Sequence, residues 1–267
     1  MNSAERPLFE LCGVSRVFPA RKDGDAVQAL RGISLRVEKG EFVCLLGRSG
    51  CGKSTLLSLL AGLDTPTEGS MFWKGDAIAG PSPARMLMFQ EAALFPWLNV
   101  MENVMFGMVS RREWPRGEQR ERALRWLDTV GLGAFTQFRV HELSGGMRQR
   151  VALARALASE PEVLLMDEPF SALDAMTRER LYADMQRIWE DCGATVIMVT
   201  HNVREAVCLG TRIILMAAEP GRVVDDRAVN LPRPRYMNDV ALARAATEIS
   251  AVLQTMPSIP AEEKGRP

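Results

Sequence analysis

The sequence predicts an α/β domain with a largely parallel, buried sheet, interrupted by a helical subdomain. Three observations predict it. Five short apolar segments rich in β-branched residues recur along the chain, a long helical block separates the second from the third, and a glycine-rich loop joins the first to a helical run. The five segments are Phe42–Leu46, Leu87–Phe89, Val163–Met166, Thr195–Thr200 and Arg212–Met216. They are apolar throughout rather than alternating, as strands are when both faces of a sheet are covered. The block from about 92 to 160 contains no convincing strand. Within it Ala123, Leu124, Leu127 and Val130 are expected to share one helical face, and Val151, Ala154 and Leu157 another. The tail after Pro234 is helical in pattern and then closes on "PAEEKGRP", which is expected to fray.

Composition narrows the classes of function. The chain has 267 residues, 47% of them hydrophobic, enough for a sizeable core. Its 33 Lys and Arg balance 33 Asp and Glu, so no global field recruits nucleic acid or an anionic membrane. The longest apolar runs, "FVCLL" and "IILMAA", are strand-sized and far below the roughly 18 residues of a membrane span. The opening "MNSAERPLFE" lacks the apolar stretch of a secretory signal, which points to the cytoplasm. Five cysteines, odd in number and without a C-x-x-C pair, argue against disulfides or a zinc site.

The loop after the first strand reads "GRSGCGKST": Gly47, Arg48, Ser49, Gly50, Cys51, Gly52, Lys53, Ser54 and Thr55. This is the G-x-x-x-x-G-K-[ST] pattern, in the strand, loop, helix context that the pattern requires. Glycines let successive backbone N–H groups turn toward phosphate oxygens, and the helix adds its positive end. Lys53 is then placed to reach the β- and γ-phosphates, and the Ser54 hydroxyl to ligate Mg²⁺. Cys51, beside Lys53 and a helix N-terminus, is expected to react readily with maleimide in the nucleotide-free protein.

"VLLMDEP" at 163–169 is a buried strand ending in two carboxylates. Asp167 can hold the magnesium shell through water, and Glu168 can polarise an attacking water. His201 directly follows the strand "TVIMVT", at the sheet edge where parallel sheets bind ligands; the alternative is a structural histidine. Gln90, closing "MLMFQ", occupies an equivalent edge and could touch both metal and water; otherwise it is a strand-terminal amide.

A second glycine pair stands in "LSGGMRQR" at 143–150. Ser144 can cap the following helix, while Gly145 and Gly146 keep side chains off its first turn, giving another helix end suited to an anion. Within one chain it cannot easily reach the first loop, but two copies arranged head to tail could each offer it to the other's nucleotide.

"GRSGCGKST", Gln90, "LSGGMRQR", "VLLMDEP", "SALD" at 171–174 and His201, in this order and spacing, resemble the ATP-binding subunit of ABC transporters over about residues 8 to 235. The resemblance implies a RecA-like P-loop NTPase core with an inserted helical subdomain, hydrolysing ATP with Mg²⁺. The core would cover about 1–91 and 160–235 and the subdomain about 92–159, with 236–267 a helical tail. It implies that two ATP molecules lie between the phosphate loop of one copy and Leu143, Ser144, Gly145, Gly146 and Gln149 of the other. Glu168 would be the catalytic base, Asp167 a magnesium residue, His201 the γ-phosphate switch, Gln90 a metal and coupling residue, and Asp174 a contact across the dimer. Phe18 lies where the family stacks an aromatic on adenine; it could instead be a core residue at a strand end. Arg48 departs from the proline usual in close relatives, and an extra cation there would tighten nucleotide affinity.

"ALFPWLNVMENVMFG" at 93–107 and "EPGRVVDDRAVNLPRPR" at 219–235 resemble the nitrate, sulfonate and taurine import branch. That branch works with a transmembrane permease and an extracytoplasmic solute-binding protein, which implies a peripheral protein on the cytoplasmic face of the inner membrane, without a nucleic-acid partner. Exposed Phe95 and Trp97 would suit a groove for a permease helix, the alternative being subdomain core. An export ATPase and a soluble ABC ATPase stay open. A DNA-repair type is disfavoured, because only about ninety residues separate the two glycine motifs and leave no room for a coiled coil.

Overall fold

The computed structural model describes residues 6–19, 25–110 and 113–255. The closing "PAEEKGRP" lies outside the described residues. Five strands form where apolar runs predict them: β3 (Phe42–Gly47), β6 (Arg85–Met88), β7 (Val163–Asp167), β8 (Thr195–Thr200) and β9 (Arg212–Ala217). They pair in parallel in the order β9-β3-β8-β7-β6. Each strand's alternation divides the core. Phe42, Cys44 and Leu46 face one hydrophobic cluster while Val43 and Leu45 face the other, so the sheet is buried on both sides. The second segment is shifted: Phe89 falls beyond β6 and is exposed.

Five further strands carry no continuous apolar run. β1 (Phe9–Phe18), β2 (Val27–Val37), β4 (Glu68–Trp73) and β5 (Asp76–Ala77) make a separate antiparallel sheet in the order β2-β1-β4-β5. β10 (Arg222–Ala228) adds an antiparallel edge to the main sheet. These segments mix charged and apolar residues because one face is solvated, and bulges break their period: β1 shifts register around Gly13. The antiparallel sheet and helix α1 (Lys53–Ala61) cover one face of the main sheet.

The other face carries the remaining helices. α2 (Val100–Phe106), α3 (Arg116–Thr129) and α4 (Gly145–Ala158) pack on one another within the inserted block. α2 begins with a reciprocal Asn99–Glu102 capping box, legible as N-x-x-E. On α3, Ala123 and Leu127 are buried and Val130 follows at its end, but Leu124 is 41% exposed, a correction to the expected face. Positions i, i+4 and i+7 stay on one stripe, whereas Leu124 is rotated about 100° from Ala123. Val151, Ala154 and Leu157 of α4 are all buried. α5 (Ala175–Cys192) and α6 (Val203–Leu209) follow, and α7 (Val240–Thr255) docks Leu242, Ala246 and Ile249 into the same core. Buried Arg235 secures the approach to α7, donating to the carbonyls of Val207, Gly210, Val229 and Leu231.

Candidate phosphate-binding and hydrolytic site

The loop after β3 is shaped from within. Gly50 and Gly52 have φ of 82° and 85°, the left-handed region that a side chain resists. Gly52 ends the loop as N-cap of α1, and a Cβ there would lie 2.6 Å from Leu30. Lys53, only 6% exposed, turns back across the loop, its Nζ donating to the carbonyls of Gly47 (2.8 Å) and Arg48 (3.0 Å). Gly52 supplies no side-chain cap and the first turn of α1 has no acid, so the opening N–H groups keep their positive end for an incoming anion.

The loop opens onto a cavity of about 700 Å³, lined by Ser49, Gly50 and Gly52 through Thr55, by Glu168, by Ala26–Ala29 of the β2 approach, and by Glu219 and Pro220. The Ala26–Ala29 and Glu219–Pro220 walls were not anticipated from sequence. They converge because Gly221 N–H donates to Ala29 O (3.0 Å) and Arg31 N–H to Gly221 O (2.9 Å), a pairing across more than 190 positions. The "EPG" turn signal was visible; its neighbour was not.

Parallel register brings the other candidates to the same edge. Met88 pairs with Met166 and Asp167 with Val199, so Gln90, Glu168 and His201 all stand just past the ends of adjacent strands. Burial raises the Asp167 pKa, Glu168 adds to the rise, and Ser54 and Lys53 oppose it. Glu168 has a φ of 44°, unusual for a residue with a Cβ, held by its N–H to Val199 O (3.1 Å) and by Ser171 Oγ donating to its carbonyl (2.9 Å). That backbone aims the carboxylate at His201, whose Nδ1 lies 3.2 Å from Glu168 Oε2 while its side chain is 62% exposed. A carboxylate and an imidazole thus meet beside the glycine loop, an arrangement able to orient water for attack.

Ser144 caps α4, its Oγ accepting from Met147 N–H (3.2 Å), and Gly145 and Gly146 open the first turn. A Cβ on Gly145 would meet nothing within 4 Å, whereas one on Gly146 would lie 3.1 Å from Leu173. None of Leu143 to Gln149 lines the cavity of the first loop. Gln149 corrects the expectation that it faces nucleotide: it is buried, one turn into α4, among the core residues of that helix. Asp174 caps α5 through Thr177 N–H (3.0 Å), a bond that lowers its pKa.

Other expectations are corrected or sharpened. Cys51 is fully buried behind the loop, so its thiol is not the accessible nucleophile expected of it. Phe18 is not core: it is exposed at the end of β1 with the Arg16 guanidinium 4.7 Å above its ring, and it pairs with Val27 of the cavity wall. Phe95 and Trp97 divide. Phe95 is half-buried, 4.3 Å from the ring of Phe106, while Trp97 is 68% exposed. Arg48 is exposed and lends the loop its carbonyl.

An α/β sheet with a glycine loop, a buried lysine and an acid–histidine pair at one edge defines a P-loop ATPase. Residues 30–171 match the family described as "ABC transporter". The chain is 49% identical over 201 residues to the taurine import ATP-binding protein TauB of Roseobacter denitrificans, covering 75% of both proteins. It is 45% identical to the nitrate import ATP-binding protein NrtD of Synechocystis, over 84% of this chain and 83% of that one. Among solved structures it resembles the dimeric post-hydrolysis state of the ATP-binding cassette MJ0796 bound to ADP and Pi: TM-score 0.75, 32% identity, 84% of this chain and all of the other. The chain belongs to the ABC transporter family.

Proposed function

We propose that this protein is the ATP-hydrolysing subunit of an importer for a small anion or organic solute of the nitrate, sulfonate and taurine type. The observation that carries this reading is that Ser49, Gly50 and Gly52 through Thr55 of the glycine loop line one cavity of about 700 Å³ together with Glu168. ATP lies with its phosphates on the N–H groups of residues 50–55 and on Lys53, which exchanges loop carbonyls for phosphate oxygens. Glu168 accepts the proton of the attacking water, and His201 orients the γ-phosphate. Phe18, beside the cavity wall, meets the adenine. Asp167, Ser54 and Gln90 offer hard oxygen donors, and Mg²⁺ commonly takes one or two such protein groups together with substrate phosphates. Bound there, Mg²⁺ would neutralise charge on the phosphate oxygens.

No residue of the helix end at Ser144–Gly146 lines the cavity of its own chain, which favours two copies in head-to-tail contact, with Asp174 at their junction. Residues 1–235 are the ATP-binding unit, with a core of about 1–91 and 160–235 and the helical insertion at about 92–159; 236–267 are the tail. The partners are a second such subunit, transmembrane permease subunits and an extracytoplasmic solute-binding protein, at the cytoplasmic face of the inner membrane. Among the described residues no helix is long and apolar enough to cross a membrane. Trp97 is the anchor of choice for a permease helix, because it is exposed next to a cluster that already holds Phe95. Trp97→Ser should weaken copurification with the permease about thirtyfold, as buried aromatic anchors contribute about 2 kcal/mol, and should abolish uptake with ATP binding intact. Unchanged assembly and uptake would move the docking surface elsewhere.

A further inference from the structure

The corner that carries His201 is held by a buried carboxylate to which the proposed chemistry gives no role. Glu205 lies on the first turn of α6 and is 5% exposed. Its carboxylate accepts hydrogen bonds from Tyr182 Oη (2.8 Å) and from the Thr200 hydroxyl. Its N–H donates to Asn202 Oδ1 (3.2 Å), and Thr200 Oγ1 accepts from Asn202 N–H (3.0 Å). The residues on both sides of His201 are therefore tied to Glu205, while the imidazole itself is left free to reach Glu168. Tyr182 comes from α5, the helix capped by Asp174, and its ring meets Phe170 edge to face at 5.3 Å, two residues past Glu168. Glu205, Tyr182, Thr200, His201 and Glu168 border one small cavity of about 80 Å³.

Burying a carboxylate is costly, and an apolar side chain would fill the space more stably. Directional hydrogen bonds offer what an apolar contact does not, a fixed orientation for the groups that make them. Burial raises the Glu205 pKa, and the bonds from Thr200 and Tyr182 oppose that rise by favouring the ionised acceptor.

We infer that Glu205 is a positioning residue for ATP hydrolysis: with Tyr182 and Thr200 it clamps the 200–202 corner to α5 and so fixes His201 opposite Glu168. This rests on the reading of Glu168 and His201 as the hydrolytic pair. Displacing a reacting group by about 1 Å can cost up to about a hundredfold in rate, so loosening the corner should act on turnover rather than on nucleotide binding.

Tyr182→Phe removes a single oxygen from the clamp, and Glu205→Gln retains its size. Either variant should lower kcat for MgATP about tenfold while KM changes less than about twofold. The chain has two histidines, so imidazole NMR supplies an internal control. In Tyr182→Phe the His201 resonances should shift or broaden while those of His141 stay in place. Adding Tyr182→Phe to His201→Ala should lower kcat no further. Unchanged His201 resonances with only a lowered Tm, or losses that multiply with His201→Ala, would overturn the inference. If His201→Ala hydrolyses ATP like the wild type, the reading of the pair fails instead, and the NMR comparison still decides whether Glu205 positions His201. Should Glu205→Gln not fold, Tyr182→Phe answers alone.

Discussion

Two helix N-termini, those of α1 and α4, share much of their chemistry and differ in what surrounds them. Each has glycines at its start, before the first turn in α1 and within it in α4, and neither has an acid in its first turn. At α1 the N-cap is Gly52 in the left-handed region with no side-chain bond, the lysine folds back over the loop, and the cavity wall is supplied by the same chain. At α4 the cap is the Ser144 hydroxyl, Gly145 faces open space, and no residue of the motif reaches that cavity. Within one chain, one end is completed by groups that close around it and the other is left incomplete. A helix terminus attracts anions in either case, but it becomes a site only when further groups close around it.

The largest expected effect falls on the complete side. Glu168→Gln keeps the shape of the carboxylate but cannot accept a proton, so turnover should fall by about a hundredfold or more with MgATP binding preserved. Hydrolysis at the wild-type rate in a phosphate-release assay would remove Glu168 as the base. Next comes the incomplete side. Gly145→Asp adds a charge where the fold itself has room, and so it should spare folding and ATP binding while lowering ATP turnover about tenfold at saturating protein. Gly146→Asp is a poorer probe, because its Cβ would press on Leu173 within the same chain. Normal turnover in Gly145→Asp would reduce the α4 terminus to an ordinary turn.

A smaller effect separates fold from site. Ser144→Ala removes the α4 cap and should cost about 1 kcal/mol of stability, read by denaturant unfolding, whereas α1 has no equivalent side-chain cap to lose. An unchanged midpoint would mean that the Ser144 hydroxyl contributes nothing to the helix. The smallest effect concerns Cys51. Maleimide should label exposed Cys12 and Cys192 first and leave Cys51 almost untouched with or without MgATP, as mass spectrometry of the labelled peptides would show. Rapid labelling of Cys51 in the apo protein would show that the loop opens far more than its buried lysine suggests.

Much of this molecule is written locally. The five parallel strands, the loop at 47–55, the cap at Ser144 and the acids at 167 and 168 are legible because each depends on neighbours within a few positions: an apolar run, a glycine, an oxygen three residues before an N–H. The antiparallel strands were not, since half-solvated, bulged segments such as β1 lose the period that identifies a strand. Leu124 was misplaced because a small shift along a helix turns a residue from stripe to flank. Gln149 was misassigned because membership of a motif says which residues are adjacent in sequence, not which way each one points.

By itself, then, the sequence determined the class of fold, the phosphate loop and the identity of the groups that could act on phosphate, because these are set by short-range backbone geometry and by side-chain chemistry. Only the tertiary structure decided which groups meet. Gln90, Glu168 and His201 come to one edge through parallel register between strands far apart in the chain. Glu219 and Pro220 wall the cavity through a pairing with residues 29–31, and Glu205 gathers Tyr182 and Thr200 from two separate elements. Such meetings have no local signature, since they result from burying a shared core and from satisfying the polar groups buried with it.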